Sequence, residues 1–190
     1  MMWGTTTLDA NVVVADTVRW LERAVIGLNL CPFAKAVHVK KQIRYVVCLA
    51  DSPEVLLTEL VRELQFLVAA DAADTDTTLL IHPNLFADFL AYNDFLDVAD
   101  AAIAELKHDG VIQIASFHPR YQFADTQPDD ITNFTNRSPY PTLHLLREES
   151  VTRAVAAFPD AGDIFEKNME TMNRLGRVGW EKLLAAGNSD

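Results

Sequence analysis

Two histidine–proline steps are the residues best placed to do chemistry. His82 follows the apolar run 77–81 and His118 follows the run 111–117, and both runs are typical of strands. Ligands of open parallel sheets bind beyond the carboxyl ends of strands. If the two strands are neighbours, about 4.8 Å apart, both imidazoles face one ligand. Histidine titrates near neutrality, so His82 and His118 are candidate catalytic residues that move a proton. Alternatively, each histidine caps its strand and hydrogen-bonds a nearby carbonyl.

An arginine-rich region follows the second of these histidines. The segments 118–123 and 136–147 hold three arginines and no lysine. Guanidinium groups suit bidentate recognition of carboxylate or phosphate, so the predicted partner is a small anionic molecule. The alternative is that the arginines pair with Asp125, Asp129 and Asp130 and pin a loop. The candidate substrate-binding residues are Arg120, Tyr121, Asn136, Arg137, Ser138, His144 and Arg147.

His144 lies in the alternating run 142–147, and its neighbours depend on the conformation of that run. On a strand, His144 and Arg147 face opposite sides. On a helix, their three-residue spacing puts them together. A three-histidine metal site with His82 and His118 is a weaker alternative, because the wide spacing matches no common zinc pattern. The sequence identifies no cofactor.

Cys31 is the third candidate catalytic residue. If it caps a short helix with Pro32 at the first helical position, the helix dipole favours the thiolate. If it ends the first helix instead, the dipole disfavours the thiolate. The favoured alternative is an inert, buried thiol, as is usual for free cysteines. Cys48 lies in an apolar run and is predicted to be a buried small hydrophobe, without a disulfide framework.

The composition limits the class of protein. The chain has 190 residues, of which 49% are hydrophobic and 23% charged, which suits one globular domain. The formal net charge of −11 argues against a nucleic-acid or anionic-membrane binder, because both need a basic surface. No signal peptide or membrane-spanning run is visible, so a cytoplasmic location is expected. The oligomeric state stays open.

Helices and strands alternate along the chain. This order predicts an α/β fold with a mostly parallel central sheet, a βαβαβ core plus one further strand, flanked by N- and C-terminal helices. A two-layer α+β arrangement is the alternative. A single domain over 1–190 is expected, with a frayed start at 1–10 and a tail at 187–190. The predicted strands are 43–49, 77–82, 111–117 and 142–147, and the predicted helices are 11–28, 53–69, 85–107 and two or three within 150–186.

Some of these elements carry more specific expectations. The helix over 85–107 is predicted to bury Phe89 and Leu90 among other apolar residues and to break near Asn93. Gly176 and Gly179 are expected to interrupt the terminal helices. The long loop 121–141 has a length that is usual for functional or disordered loops.

Three segments resemble the bacterial family of domains of unknown function numbered 1415. They are Leu-Asn-Leu-Cys-Pro-Phe-Ala at 28–34, Phe-His-Pro-Arg-Tyr-Gln-Phe at 117–123 and Asn-Arg-Ser-Pro-Tyr-Pro-Thr-Leu-His-Leu-Leu-Arg at 136–147. The resemblance covers about residues 14–176, and its third segment is quite specific. It implies a bacterial cytoplasmic protein and transfers no activity.

Two functions follow as expectations. The favoured one is an enzyme acting on a small phosphate- or carboxylate-bearing substrate, with histidine acid–base chemistry and an arginine clamp. The alternative is a non-catalytic small-molecule or metal-binding regulatory module. In both cases His82, His118, Arg120 and the segment 136–147 are predicted to meet in one pocket, with Cys31 beside it.

Overall fold

Four strands form one mixed sheet in the computed structural model, which describes residues 8–157 and 161–185. They are β1 (Ile43–Val47), β2 (Thr77–Ile81), β3 (Ile112–Phe117) and β4 (Thr142–Arg147), in the spatial order β1-β2-β4-β3. β1 and β2 are parallel, whereas β4 is antiparallel to both of its neighbours. The α/β class and the strand positions are therefore confirmed, but the prediction of a mostly parallel sheet is wrong.

The direction of β4 follows from where the long loop begins and ends. The loop leaves the carboxyl end of β3 at Phe117, and β4 starts at Thr142, which is paired with Phe117. When a connection begins and ends at the same end of the sheet, the two strands that it joins run antiparallel. Because β4 lies between β2 and β3, those two strands are not adjacent, and the 4.8 Å spacing expected between them does not occur.

Two helices cover one face of the sheet. Helix α3 (Pro53–Ala69) begins at a Ser52 cap with proline in the first turn, as predicted. Helix α4 (Phe89–Glu105) begins later than predicted, because Phe86 adopts a left-handed backbone with φ 57° and Asp88 forms the cap. The helix does not break near Asn93. Its register buries Tyr92 and Phe95 and exposes Leu90, contrary to the prediction for Leu90.

The opposite face carries the N- and C-terminal helices. Helix α1 (Ala10–Trp20) continues through a π-helical turn, Leu21–Ile26, and α2 (Ala34–Val39) is a short helix that follows it. Helix α5 (Glu148–Ala156) follows β4 directly. Helix α6 (Ile164–Ala185) is kinked at Gly176, where φ is 64°, as the glycine suggested, but Gly179 does not interrupt it.

The sequence predicted a frayed start at 1–10 and a tail at 187–190. Most of the frayed start at 1–10 and all of the tail at 187–190 lie outside the described residues. Within the described part, Asp9 already caps α1 by accepting from the Asn11 amide.

Cys48 is buried, as predicted, and both cysteines are free thiols. Across residues 8–157 and 161–185, no helix combines the length and apolar character that crossing a membrane requires.

A charged pair fixes the edge strand β1 to helix α3. The Arg44 guanidinium donates from Nε to Glu63 Oε2 at 2.7 Å and from Nη2 to Glu63 Oε1 at 3.2 Å, and its Cζ lies 4.3 Å from the centre of the Phe66 ring. Glu63 is buried at 1% exposure, whereas Arg44 is 36% exposed. Removing the arginine would leave a carboxylate in the core whose one remaining cationic neighbour within the described part of the chain is Arg62, 3.4 Å away.

We therefore expect Arg44→Met to lower the free energy of unfolding by about 2 kcal/mol, less than for a fully buried pair because Arg44 is partly solvated. The matched control is Arg153→Met, since Arg153 pairs with Glu149 on the surface of α5. Urea unfolding should show almost no effect for the control. The double variant Arg44→Met/Glu63→Leu should regain most of the stability. Equal costs for Arg44→Met and Arg153→Met would contradict this account.

Candidate functional site

The register of the sheet divides the candidate histidines between its two faces. His144 is paired with Leu79 on one side and Ala115 on the other, so these three side chains share a face. His82 and His118 follow β2 and β3 in positions that belong to the opposite face, which α3 and α4 cover. The predicted single pocket is therefore split.

Tyr92 occupies the space between the two histidine–proline steps. Its ring stacks on His82 with centroids 5.6 Å apart and on His118 with centroids 5.2 Å apart. Its hydroxyl donates to the Thr142 carbonyl at 2.8 Å, and Tyr92 is fully buried. Both imidazoles therefore pack on one phenol ring, and the structure does not bring them onto a shared ligand.

His118 has both ring nitrogens engaged. Nε2 lies 2.8 Å from the Phe86 carbonyl and Nδ1 accepts from the Arg120 amide at 2.9 Å. These partners require the proton on Nε2 and a neutral ring. Burial lowers the pKa of His118 further, with Arg120 and Arg137 adding to the shift. This arrangement is the strand cap that the sequence offered as the alternative.

His82 is buried without a hydrogen-bond partner for either ring nitrogen among the described residues. The carbonyls of His82 and Leu85 lie close enough to favour the charged form weakly, but not in hydrogen-bonding geometry. Burial dominates, with the neighbouring His118 as a second cause, and lowers the pKa of His82 to about 3. His82 is therefore neutral at physiological pH.

The arginines of the predicted clamp bind backbone carbonyls. Arg120 donates to the Ala87 carbonyl and lies 3.8 Å from the exposed Asp88 carboxylate. Arg137 donates to the carbonyls of Tyr121 and Pro128 and stacks over the Phe134 ring. The Arg137 contacts therefore pin the 121–141 loop through backbone carbonyls rather than through its aspartates.

Arg147 lies at the other end of the sheet from the histidine–proline steps. It is paired with Ile112, the first residue of β3, and donates to the carbonyls of Ala70 and Thr75 before β2. The structure therefore does not bring Arg147 to the predicted pocket. Its side chain also faces away from that of His144, as alternation along a strand predicts.

The uncharged candidates Asn136, Ser138 and Tyr121 make contacts that hold the 121–141 loop in place. Asn136 lies in a 3₁₀ turn, Ile131–Asn136, and donates to the Ser116 carbonyl, while its own carbonyl accepts from the His118 amide. Ser138 is buried and donates to the Tyr140 carbonyl. The Tyr121 ring packs against Phe89 and Phe123. These contacts hold β3, the loop and β4 together.

A cavity of about 540 Å³ lies on the other face of the sheet, beneath α1, α2 and α5. Its volume falls within the range of ordinary small-molecule sites. Most of its walls are apolar side chains contributed by the helices and by the strands, namely Trp20, Leu21, Val25, Pro32, Phe33, Ala34, Ala36, Val37, Ile43, Leu79, Ala115, Phe117, Leu146, Val151, Ala154 and Ala157. Its remaining lining residues are Cys31, Asp76, Thr77, Gln113, His144 and Ser150.

His144 lies in the floor of this cavity. Thr77 Oγ1 is 2.6 Å from the Leu145 carbonyl and 2.7 Å from His144 Nε2. A carbonyl only accepts, so the hydroxyl donates to Leu145 and accepts from Nε2–H. The lone pair is therefore on Nδ1, which no group of residues 8–157 and 161–185 contacts through a hydrogen bond. Burial lowers the pKa of His144 to about 4.

Cys31 lines the same cavity, but neither predicted helical arrangement occurs. The first helix ends at Ile26 and α2 begins at Ala34 with Phe33 at its cap, so Cys31 neither ends one nor caps the other. Burial raises the pKa of the Cys31 thiol, although the backbone amides of Phe33 and Ala34 oppose the shift. The thiol is therefore protonated at neutral pH, as the inert alternative requires.

Sequence reasoning found His144 and Cys31 but missed the cavity that joins them. A weak sequence signal for the cavity was present. The small residues Ser150, Ala154 and Ala157 follow at helical spacing directly after a strand with an alternating pattern. Tyr92 was missed because Leu90 was placed in the buried stripe instead. Among the described residues, no group of histidine, cysteine and carboxylate side chains is arranged to hold a metal ion.

Comparison with known proteins gives the family of the chain but no activity. No curated protein and no solved structure matches it. A family model described as "Protein of unknown function (DUF1415)" matches residues 12–182, which is most of the chain. This match agrees with the resemblance seen in the three segments, and the chain belongs to that family.

Proposed function

We propose that the protein binds a small, mostly apolar molecule in the cavity between the sheet and helices α1, α2 and α5. The observation that carries this proposal is an apolar chamber of about 540 Å³ with one partly accessible histidine, His144, in its floor. Apolar chambers with a few oriented polar groups are the usual form of ligand sites. Burial of a ligand's apolar surface there supplies affinity.

Binding without chemistry fits the protonation states of the lining groups. An effective general base has a pKa near the working pH. Burial holds the pKa of His144 at about 4, which makes its imidazole a weak base, and raises that of Cys31, which disfavours a thiolate nucleophile. Both groups are uncharged at neutral pH and suit an apolar ligand.

An enzyme acting on a small anionic substrate stays a prediction with less support. Its arginines bind backbone carbonyls, and Arg120 also faces the carboxylate of Asp88. A substrate would have to displace these contacts. Incubation of the protein with phosphate- and carboxylate-bearing metabolites, followed by mass spectrometry, would reveal turnover and favour the enzyme.

The cavity proposal is tested by filling the chamber. Ala115 lies beside His144 in the floor, so Ala115→Phe should displace any ligand there. A ligand that still entered would have to push its neighbours aside at a cost of about 1–3 kcal/mol, which weakens binding by about five- to 150-fold. Calorimetric titration with neutral alkylbenzenes measures the effect. The matched control is Ala104→Phe on the exposed face of α4.

We expect the control variant to bind as the unmodified protein does. If Ala115→Phe binds as tightly as the unmodified protein, the ligand binds somewhere other than this cavity. If the unmodified protein binds none of the alkylbenzenes, the proposal is refuted. Circular dichroism of Ala115→Phe separates a filled cavity from an unfolded chain. If that variant does not fold, Ala154→Leu fills the same chamber from α5.

A further inference from the structure

We infer that the ligand of this cavity is an uncharged molecule with an apolar body and one hydrogen-bond donor, such as a hydroxyl, which it presents to Nδ1 of His144. This inference deepens the proposed function and rests on it. It names the chemical class of the ligand and the atom that selects it.

The acceptor character of Nδ1 follows from the contacts behind the ring. The Leu145 carbonyl takes the Thr77 hydroxyl hydrogen at an O–O distance of 2.6 Å. The hydroxyl oxygen then accepts from Nε2 at 2.7 Å, which fixes the neutral tautomer with its lone pair on Nδ1. A ligand that offers only acceptors, such as an ether or ketone, would face this lone pair without a hydrogen.

The surroundings make this acceptor selective. Leu79 and Ala115 flank His144 across the sheet, and Leu146 follows it on the same face. The Phe117 ring lies 6.0 Å from the imidazole, centre to centre. Because these neighbours are apolar, a ligand that covers His144 removes water from Nδ1. A buried acceptor without a donor is costly, whereas a donor in the ligand removes that cost.

Charge is disfavoured at the same place. A carboxylate ligand would need a protonated His144, and the burial that lowers the pKa of this ring opposes its protonation. An ammonium group would lose its hydration against walls that are mostly apolar, at a cost of several kcal/mol per ion, and the Asp76 carboxylate of the wall, which accepts from the Ser150 hydroxyl at 2.5 Å, would have to offset that cost. An uncharged donor meets neither obstacle, so the geometry favours an alcohol or phenol.

Three probes that share one butylphenyl body test this inference on the full chain. We expect 4-butylphenol to bind about five- to tenfold more tightly than its methyl ether in calorimetric titration at pH 7, which is the worth of one buried hydrogen bond. The carboxylate 4-butylbenzoate should bind most weakly. Equal affinity for phenol and ether would overturn the inference while leaving the cavity proposal intact, and tightest binding of the benzoate would overturn its uncharged class. If none of the three binds, the cavity proposal falls as well.

Two variants test whether His144 causes the preference for the phenol over its methyl ether. His144→Phe should abolish the preference for phenol, and Thr77 still donates to Leu145 in that variant. The control Gln113→Leu removes another polar group of the cavity and should retain the preference. A preference that survives His144→Phe would overturn the inference. If His144→Phe does not fold, nitrogen-15 spectra of the unmodified protein decide, since they distinguish N–H from lone pair at each ring nitrogen: a proton on Nδ1 refutes the assignment.

Discussion

Replacing Tyr92 by alanine is expected to lower the free energy of unfolding by about 3–5 kcal/mol, as for other large aromatic side chains removed from cores. Tyr92 is fully buried and separates His82 from His118 by stacking on both rings. Its removal leaves a void beside two imidazoles and removes the ring contacts that Tyr92 makes with both. Urea unfolding followed by circular dichroism measures the loss.

Tyr92→Phe separates the contribution of the hydroxyl from that of the ring, and Leu90→Ala is an exposed control on the same helix. Tyr92→Phe keeps the ring but leaves the Thr142 carbonyl without the phenolic donor, at a cost of about 1 kcal/mol. Leu90→Ala lies on the same helix with a 70% exposed side chain and should cost much less than Tyr92→Ala. If Tyr92→Ala and Leu90→Ala cost the same, the stacked arrangement does not carry the stability assigned to it.

Local signals account for the parts of the fold that were predicted well. The Ser52-Pro53 start of α3 is a contiguous chemical pattern, and the structure begins that helix at Pro53. The alternation over 142–147 likewise gave β4 and the opposite facing of His144 and Arg147. Such features depend on neighbours within a few residues, so one sequence is enough to predict them.

The order of the strands and the site depend on distant contacts, which local patterns do not contain. Nothing within residues 142–147 says that β4 inserts between β2 and β3, yet that insertion separates the two histidine–proline steps. The cavity needs α1, α2 and α5 over one sheet face, which are far apart in the sequence. The candidates His144 and Cys31 were therefore found as residues, while the chamber they share was not.

The buried histidines lead to a second large expectation, a loss of stability in mild acid. The pKa of His82 is about 3 and that of His144 about 4 in the folded protein, against about 6.5 in an unfolded chain. Since the unfolded state binds more protons, the stabilisation is complete above pH 6.5 and is lost as the pH falls toward these folded values. Between pH 7 and pH 5, each histidine should contribute a loss of about 2 kcal/mol at most.

Two variants at buried positions of the α3 and α4 face separate proton binding from simple burial of a polar group. His82→Leu should remove about 2 kcal/mol of the stability difference between pH 7 and pH 5. The control is Thr78→Val, because Thr78 Oγ1 is also buried without a partner among the described residues but does not titrate in this range. Comparing each variant with the unmodified protein by urea unfolding at each pH cancels the contribution of carboxylates elsewhere. A stability difference between pH 7 and pH 5 that is unchanged in His82→Leu would show that His82 is protonated in the folded state or reaches solvent.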